Sequence, residues 1–367
     1  MERNRTKGIV VALVIIAVIL LASAVAFSGI LSPNGNNTTS TSSTTSTTTT
    51  STSSPTSTTT TSTSTTSTNS TGLLGLTKGQ SGLVSADSLT TGTMSNWNFS
   101  ASPSGSGTHS ENSSGLFLGL QPQATGKWAE YFGEMTVGNA QVYSANISLP
   151  QTIASGSFSV GIYVSTLVTY PQNPSSVNYL ACGGEVSSQG SGGYDWQVVY
   201  GTGNLSGASQ TKTLYFHYYP YGPGNLSKTC TIMTNGANFL SVYIGGTQVY
   251  SNSSMNLQIA SPFNTYLEVT GVNMTQSMEG SFTNFYTTLN DTVTVTNAPS
   301  GGIVQVTGTN SPIANATVGS NGVATLTLPA SLMPQTGVIN VYNSSGVLVA
   351  KTTTAVTLWG GDSYSVG

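Results

Sequence analysis

Charge is what this sequence has least of. Lys and Arg together number 8 and Asp and Glu 11, so charged residues make up 5% of 367 residues, where about a quarter is usual. The two arginines, Arg3 and Arg5, lie at the very start of the chain. Nothing downstream forms a basic stripe that would contact phosphates, and this excludes nucleic acid as a predicted partner.

Histidine is almost as scarce. His109 and His217 are the only two, and they are far apart in sequence, so no motif of closely spaced metal ligands is present. We therefore predict no cofactor. Ca²⁺ held by Asp87 together with backbone carbonyl groups is kept as an alternative, because calcium accepts oxygen ligands of both kinds.

A long apolar run without charge occupies residues 8–31, directly after the basic leader MERNRTK at residues 1–7. About 24 residues of helix would measure about 36 Å, enough to cross a hydrocarbon core of ~30 Å. Because the basic residues precede the run and no charge follows it before Lys78, the positive-inside rule predicts a single-pass protein of the cell membrane with its C-terminal bulk outside.

Three processing fates are open for this run. It is an uncleaved signal-anchor, a secretory signal cleaved at one of the overlapping A-x-A sites in residues 22–26, or a pilin-like leader cut after Gly8. The Lys7-Gly8 pair before an apolar run resembles the processing site of archaeal surface proteins. All three fates export the remainder of the chain.

Residues 32–72 are predicted to be a disordered stalk. Within it, residues 38–71 are all Ser or Thr except Pro55 and Asn69. Such a run has no apolar surface to bury and cannot offset the entropy of ordering. Its composition is typical of an O-glycosylated, mucin-like stalk, with an unmodified flexible linker as the alternative.

Sequons for N-glycosylation are modestly enriched after the stalk, and in an exported chain they are candidate glycosylation sites. They are at Asn98, Asn112, Asn146, Asn204, Asn225, Asn252, Asn273, Asn290, Asn315 and Asn343.

Only two cysteines occur, Cys182 and Cys230, and both lie in the part predicted to be exported. An even number of cysteines in an exported chain favours a disulfide, which we predict here. Two buried free thiols are the alternative.

Apolar residues alternate after the stalk, in short runs such as VYSANISL, FSVGIYVS and DWQVVYG that Gly, Asn, Pro and Ser separate. This pattern predicts antiparallel strands in a sandwich or barrel, and no amphipathic helix is indicated after residue 31. A change of rhythm near residue 289 divides the strands into a block at 73–289 and a smaller block at 290–367. The predicted fold is therefore all-β, preceded by one transmembrane helix and the stalk.

The larger block resembles a known family in four segments: SADSLTTGTMSNWNF (85–99), FLSVYIGGTQVY (239–250), YLEVTGV (266–272) and EGSFTNFYTT (279–288). They are similar to the first and the closing strands of the concanavalin A-like lectin/glucanase jelly roll, in its LamG-like branch. The resemblance implies a jelly-roll sandwich that binds glycans.

The smaller block contains ANATVGSNGVATLTLP (314–329) followed by a tyrosine strand. This pattern resembles carboxypeptidase-regulatory or Ig-like modules, and it implies a seven-stranded β-sandwich that acts as a spacer or adhesion unit.

Catalysis is not predicted. Glucanases of the jelly-roll family carry E-x-D-x-x-E on one strand, and this sequence has no such motif. Glu130 and Glu134 are spaced to share one face of a strand, but Lys127 is near and no third carboxylate follows. Two ordinary surface carboxylates are the preferred interpretation of this pair.

An aromatic stretch, LYFHYYPYG at 214–222, is the best candidate for a binding surface. Alternation would place Leu214, Phe216 and Tyr218 in the core and the intervening residues on the opposite face. Sugar rings stack on Tyr and Trp while Asp accepts hydrogen bonds from hydroxyls. The predicted glycan-binding residues, here and in YDWQVVY (194–200), are Tyr194, Asp195, Trp196, Tyr215, His217, Tyr219 and Tyr221.

These features predict a cell-surface glycoprotein that displays a non-catalytic, lectin-like module for glycan binding or adhesion. Its expected partners are the membrane and carbohydrate or other cell-surface proteins. A structural component of a surface coat or filament is the first alternative, and a degenerate glycoside hydrolase the second.

Overall fold

A computed structural model describes residues 72–92, 94–166, 178–188, 192–202, 210–220, 224, 226–309 and 311–367. Leu73–Gly367 forms one compact unit. The leader at 1–7, the run at 8–31 and all of the stalk except Gly72 lie outside the described residues. So do three predicted site residues, Asn204, Tyr221 and Asn225.

The localisation predicted from the sequence, a single-pass membrane protein, is contradicted. Among the described residues the helices are short 3-10 turns, Met94–Asn96 and Ala330–Leu332. In this part of the chain no helix is long and apolar enough to cross a bilayer.

The described chain is all-β, as predicted. Its strands, in chain order, are β1 (Leu74–Lys78), β2 (Leu83–Asp87), β3 (Asn98–Ser102), β4 (Gly107–Asn112), β5 (Gly115–Leu120), β6 (Trp128–Gly138), β7 (Val142–Ser148), β8 (Ser157–Thr166), β9 (Tyr179–Ser187), β10 (Gly193–Thr202), β11 (Gln210–Pro220), β12 (Ser227–Thr234), β13 (Leu240–Ile244), β14 (Thr247–Asn252), β15 (Phe263–Val272), β16 (Met278–Thr288), β17 (Thr292–Thr296), β18 (Ile303–Thr307), β19 (Pro312–Thr317), β20 (Ala324–Thr327), β21 (Gln335–Tyr342), β22 (Leu348–Lys351), β23 (Val356–Leu358) and β24 (Ser363–Val366).

Strands β2 to β16 form the larger sandwich, built from two antiparallel sheets. One is seven-stranded, in the order β11-β10-β9-β8-β15-β6-β3. The other runs β14-β13-β12-β7-β16-β5-β4, and β2 pairs with β16 beside it. The main hydrophobic core is drawn from residues of both sheets.

Alternation explains why these strands bury one face. On β8 the core residues are Phe158, Val160, Ile162 and Val164, whereas Ser159 between them is half-buried. Every second side chain of a strand points to the same face of the sheet, so these apolar side chains all face the second sheet.

The predicted disulfide is confirmed. Cys182 on β9 is bonded to Cys230 on β12. Both cysteines belong to the hydrophobic core, and their strands belong to different sheets. The bond therefore ties the two layers of the larger sandwich together.

Strands β17 to β24 form the smaller sandwich, and β1 lies in the middle of it. β1 pairs in parallel with β22 and antiparallel with β24. Leu76 packs on the core of the smaller sandwich, and Lys78 Nζ lies 2.8 Å from the buried carboxylate of Asp362. The sequence had assigned these residues to the block at 73–289. β1 belongs to the smaller sandwich because Leu76 and Lys78 find their apolar and charged partners in the C-terminal part of the chain.

The two sandwiches share part of a core. Val142 and Tyr286, from β7 and β16, are buried in the cluster that fills the smaller sandwich. The Tyr286 hydroxyl donates a 2.7 Å hydrogen bond to the carbonyl of Ala330.

Candidate functional site

The outer face of the seven-stranded sheet is the side that points away from the main core. Residues paired across neighbouring strands share a face, so the register identifies its members. One row crosses the sheet through Glu130, Thr270, Ser159, Glu185, Asp195 and Tyr218. The next row is Phe132, Glu268, Gly161, Gly183, Gln197 and Phe216.

Carboxyl groups are concentrated on this outer face. Although acids are rare in the chain, five are here: Glu130, Glu134, Glu185, Asp195 and Glu268. The arrangement brings together three acids that the sequence analysis named, Glu130, Glu134 and Asp195, and two that it did not, Glu185 and Glu268.

Glu130 and Glu268 form the central pair. They lie diagonally on the neighbouring strands β6 and β15, and they are only 3% and 4% exposed. Burial raises the pKa of both carboxyls, and the charge of Glu130 raises the pKa of Glu268 further. Glu130 does share a strand face with Glu134, as predicted, but its interpretation as an ordinary surface carboxylate is wrong.

Glu185 and Asp195 form a second pair, directly opposite each other on β9 and β10. The Ser159 hydroxyl donates a 2.9 Å hydrogen bond to Glu185 Oε2. Burial, then the charge of Glu185, raises the pKa of Asp195 to about 8. Like charges opposed across a ladder are unfavourable, so Asp195 retains its proton near neutral pH.

Three buried acceptor atoms on the outer face have no hydrogen-bond partner. They are Asp195 Oδ1, Glu268 Oε2 and Asn264 Oδ1. Asp195 is 9% exposed and Asn264 0%. The amide nitrogen of Asn264 is occupied, since it donates to Glu134 Oε1. Leaving a buried polar atom unpaired costs about 1–3 kcal/mol, so each such atom requires an explanation.

Two glycines lie beside Glu268. Gly161 and Gly183 are its neighbours in the row, and neither carries a side chain. A Cβ on Gly183 would lie 2.2 Å from the carbonyl oxygen of Val160, which no side chain could tolerate. The ring of Tyr163 covers Gly161, since a Cβ there would lie 3.1 Å from Tyr163 Cε2.

Aromatic side chains surround the carboxyl groups. Tyr163 and Tyr179 are half-buried, with ring centres 5.7 Å apart. At one edge of the sheet, Phe216 and Tyr218 are 45% and 43% exposed, and Trp128 is exposed at the start of β6. The outer face thus combines hydrogen-bonding groups with rings that solvent reaches.

The predicted faces of the aromatic stretch are wrong. Phe216 and Tyr218 pair with Gln197 and Asp195, which face outwards, whereas Tyr219 pairs with the core residue Tyr194. The core side of β11 is formed by half-buried residues that pack against the main cluster, namely Leu214, Tyr215 and Tyr219. Phe216 is exposed because β11 is an edge strand, and no described strand of the sheet pairs with its free edge.

The structure divides the predicted glycan-binding set. Asp195 lies on the outer face, but Tyr194 and Trp196 are buried in the core. The ring of Tyr219 stacks on Tyr194 with centres 4.9 Å apart. His217 and Tyr215 share the side of Tyr219, with His217 exposed. Stacking on a ligand through Tyr194 or Trp196 would require the core to open.

Sequence analysis missed Glu268, Tyr163 and Tyr179. A signal for Glu268 was present, because in TYLEVTG it is a charged residue at the centre of an otherwise apolar strand. A buried charge within a strand is rare unless it is paired or functional.

No group of three or more His, Cys, Asp or Glu side chains converges to hold a metal ion in the part of the chain that the structure describes. Asp87, the alternative calcium ligand, accepts hydrogen bonds from the Leu89 amide at 2.8 Å and from Trp97 Nε1 at 3.0 Å. Calcium binding by Asp87 with backbone carbonyls stays the alternative to the prediction of no cofactor.

Glycosylation also stays a prediction. Of the sequon asparagines that the structure describes, the exposed ones are Asn98, Asn112, Asn252 and Asn315. The half-buried ones are Asn146, Asn273, Asn290 and Asn343.

The buried acids should make the protein less stable as pH rises. The folded pKa of Asp195 is about 8, above its unfolded value of about 4. Between these values the folded state holds a proton that the unfolded state has lost, so the unfolding free energy falls with pH, by about 1.4 kcal/mol per unit for each such group. Urea denaturation at intervals from pH 5 to pH 9 should show this fall.

The variant Asp195→Asn provides the control for this pH dependence. It should be more stable than the unchanged protein at pH 8 and should show a shallower fall. A stability that is constant or rises between pH 5 and pH 8 would show that these carboxyls are ionised in the folded state.

No protein family model matches this sequence, and no curated protein matches it. Solved structures do match. A carbohydrate-binding module from Bacillus subtilis is 9% identical, over 52% of this chain and 93% of its own, with a TM-score of 0.30. The carbohydrate recognition domain of Emp46p is 11% identical, over 55% and 94%, with a TM-score of 0.38. A GlcNAcα1-4Gal-releasing endo-β-galactosidase from Clostridium perfringens is 9% identical, over 74% and 80%, with a TM-score of 0.37. These similarities assign no ligand and no reaction to this chain.

Proposed function

We propose that the outer face of the seven-stranded sheet binds carbohydrate. The observation that carries this proposal is the set of buried, unpartnered acceptor atoms on Asp195, Glu268 and Asn264. These atoms lie on a face that also presents exposed aromatic rings.

Sugars have the chemistry that such a face lacks. Their hydroxyl groups donate hydrogen bonds, which would satisfy the unpartnered oxygens and remove the free-energy cost of leaving them unpaired. Their C–H faces pack on aromatic rings, which Phe216 and Tyr218 offer at the sheet edge.

Binding without hydrolysis is the first form of this proposal. Hydrolysis is the second, because Glu130 and Glu268 lie diagonally on neighbouring strands and each has the raised pKa that a general acid requires. Glycoside hydrolysis uses a pair of carboxyls in which one donates a proton to the leaving oxygen. Product analysis after incubation with each bound glycan separates the two forms.

A glycan array probed with the full chain tests the proposal, followed by titration of the best ligand. Phe216→Ala should weaken binding about tenfold, since an aromatic anchor contributes about 1–3 kcal/mol. Ile303→Ala is the matched control, because Ile303 is equally exposed but belongs to the smaller sandwich.

Equal binding by both variants would remove the outer face from consideration. Absence of any glycan ligand, with the chain self-associating in light scattering, would favour the structural alternative, a component that assembles with its own kind.

A further inference from the structure

We propose that the preferred ligand of the outer face is a cationic glycan, built of amino sugars that lack the N-acetyl group, whose ammonium groups pair with Asp195 and Glu268. This inference rests on the proposed carbohydrate-binding function and specifies the chemical class of ligand.

The charge of the outer face is the first argument. Among the described residues, none of its five carboxyls forms a salt bridge. The salt bridge found there joins Lys78 to Asp362 in the smaller sandwich. Lys228 lies on the core side, with Nζ 5.6 Å from the ring centre of Trp196. Lys212 pairs with Tyr200, so it too faces the core side of β11. A negatively charged sugar would meet five carboxyl groups on this face and neither of these lysines.

The unpartnered acceptors are the second argument. Asn264 Oδ1 is uncharged and fully buried, so its lack of a partner does not follow from repulsion among acids. An ammonium group has three donors and no acceptor, and its hydrogen bonds to carboxylates are about twice as strong as those between neutral groups. It therefore matches this face better than a hydroxyl, which offers one donor.

The spacing of the acids points to a polymer and not to a metal ion. Asp195 and Glu268 lie on β10 and β15, three strand spacings apart, or roughly 14 Å. In the described residues no three acids converge on one point. Positive charges repeated along an oligosaccharide would reach both carboxyls at once.

Proton release should accompany binding. Asp195 holds its proton near neutral pH because burial, then the charge of Glu185, raises its pKa to about 8. Pairing with an ammonium group requires the ionised form. Affinity for the amino sugar should therefore rise as pH increases from 5 towards 8, for as long as the amine itself stays protonated. Of the other acids on this face, Glu185 lies directly opposite Asp195, whereas Glu268 and Glu130 lie on the more distant strands β15 and β6.

The experiment compares two hexasaccharides of the same linkage, one of glucosamine and one of N-acetylglucosamine, by calorimetric titration of the full chain. We expect the glucosamine hexasaccharide to bind at least about tenfold more tightly, since paired charges add to the hydrogen bonds. Its binding heat should depend on the ionisation enthalpy of the buffer, which reports proton release.

Asp195→Asn and Glu268→Gln should each lower the preference for glucosamine and leave binding of N-acetylglucosamine unchanged. Glu279→Gln removes the same charge from an exposed position on β16, in the other sheet, and should leave the preference intact. If a buried variant fails to fold in thermal melts, Glu185→Gln, at a half-buried position, takes its place.

The outcomes separate the two proposals. Equal or tighter binding of the N-acetylated hexasaccharide overturns the cationic inference and leaves carbohydrate binding in place. A preference that Glu279→Gln lowers as much as Glu268→Gln would show non-specific attraction and also overturns it. If no glycan of any class binds, the function itself fails.

Discussion

Replacing Cys182 and Cys230 together by alanine should lower the unfolding free energy of the protein by about 4 kcal/mol. Closing a loop of 48 residues reduces the entropy of the unfolded chain by about this amount at room temperature. The bond joins β9 to β12, which belong to different sheets, so the loss should be felt by the whole larger sandwich. Urea denaturation of both proteins, followed by tyrosine and tryptophan fluorescence, measures the change.

The control for this prediction is the unchanged protein treated with reductant. It should unfold at nearly the same urea concentration as the double variant, because both lack the same covalent constraint. A difference below about 1 kcal/mol between the oxidised protein and the double variant would show that the unfolded chain gains little freedom when the bond is lost.

Two phenylalanines on opposite faces of the same sheet should differ sharply when each is replaced by alanine. Phe158 is 0% exposed in the main core, so Phe158→Ala should cost about 3–5 kcal/mol. Phe216→Ala should cost less than about 1 kcal/mol, because Phe216 is already 45% exposed and its removal uncovers much less apolar surface. Thermal melts and urea titrations of the two variants compare the same chemical change at two positions.

The result that would contradict this expectation is equal destabilisation by the two variants. It would mean that the ring of Phe216 is covered in solution and that the outer face is not open. In that case its use as a binding surface would need a different geometry.

The sequence predicted that β11 is a strand, but it could not predict which face of β11 is buried. A run such as LYFHYYP places an aromatic residue on both sides of a strand, so the period-two pattern marks neither side as apolar. The orientation follows from the register with β10, which contains a bulge between Val198 and Val199. This register depends on the partner strand, so the residues of the stretch alone do not determine which of its faces is buried.

The five acids of the outer face show the same limit of prediction from sequence. The sequence placed Glu130 and Glu134 on one face correctly, because that inference needs only local spacing. It could not place Glu268 beside them, since β15 joins β6 through a pairing between segments distant in the chain. Burial of Glu130 is a consequence of that pairing. The disulfide was predictable because only two cysteines were available.

The position of β1 in the smaller sandwich has a consequence for how this protein could arise by gene fusion. The chain enters the smaller sandwich through β1, leaves it to form the larger sandwich, and returns at β17. The larger sandwich is therefore an insertion between two strands of the smaller one. A recombination event at the sequence boundary near residue 289 would transfer a sandwich without its central strand, with the edges of β22 and β24 unpaired. A unit that could be transferred intact would have to include β1 together with β17 to β24.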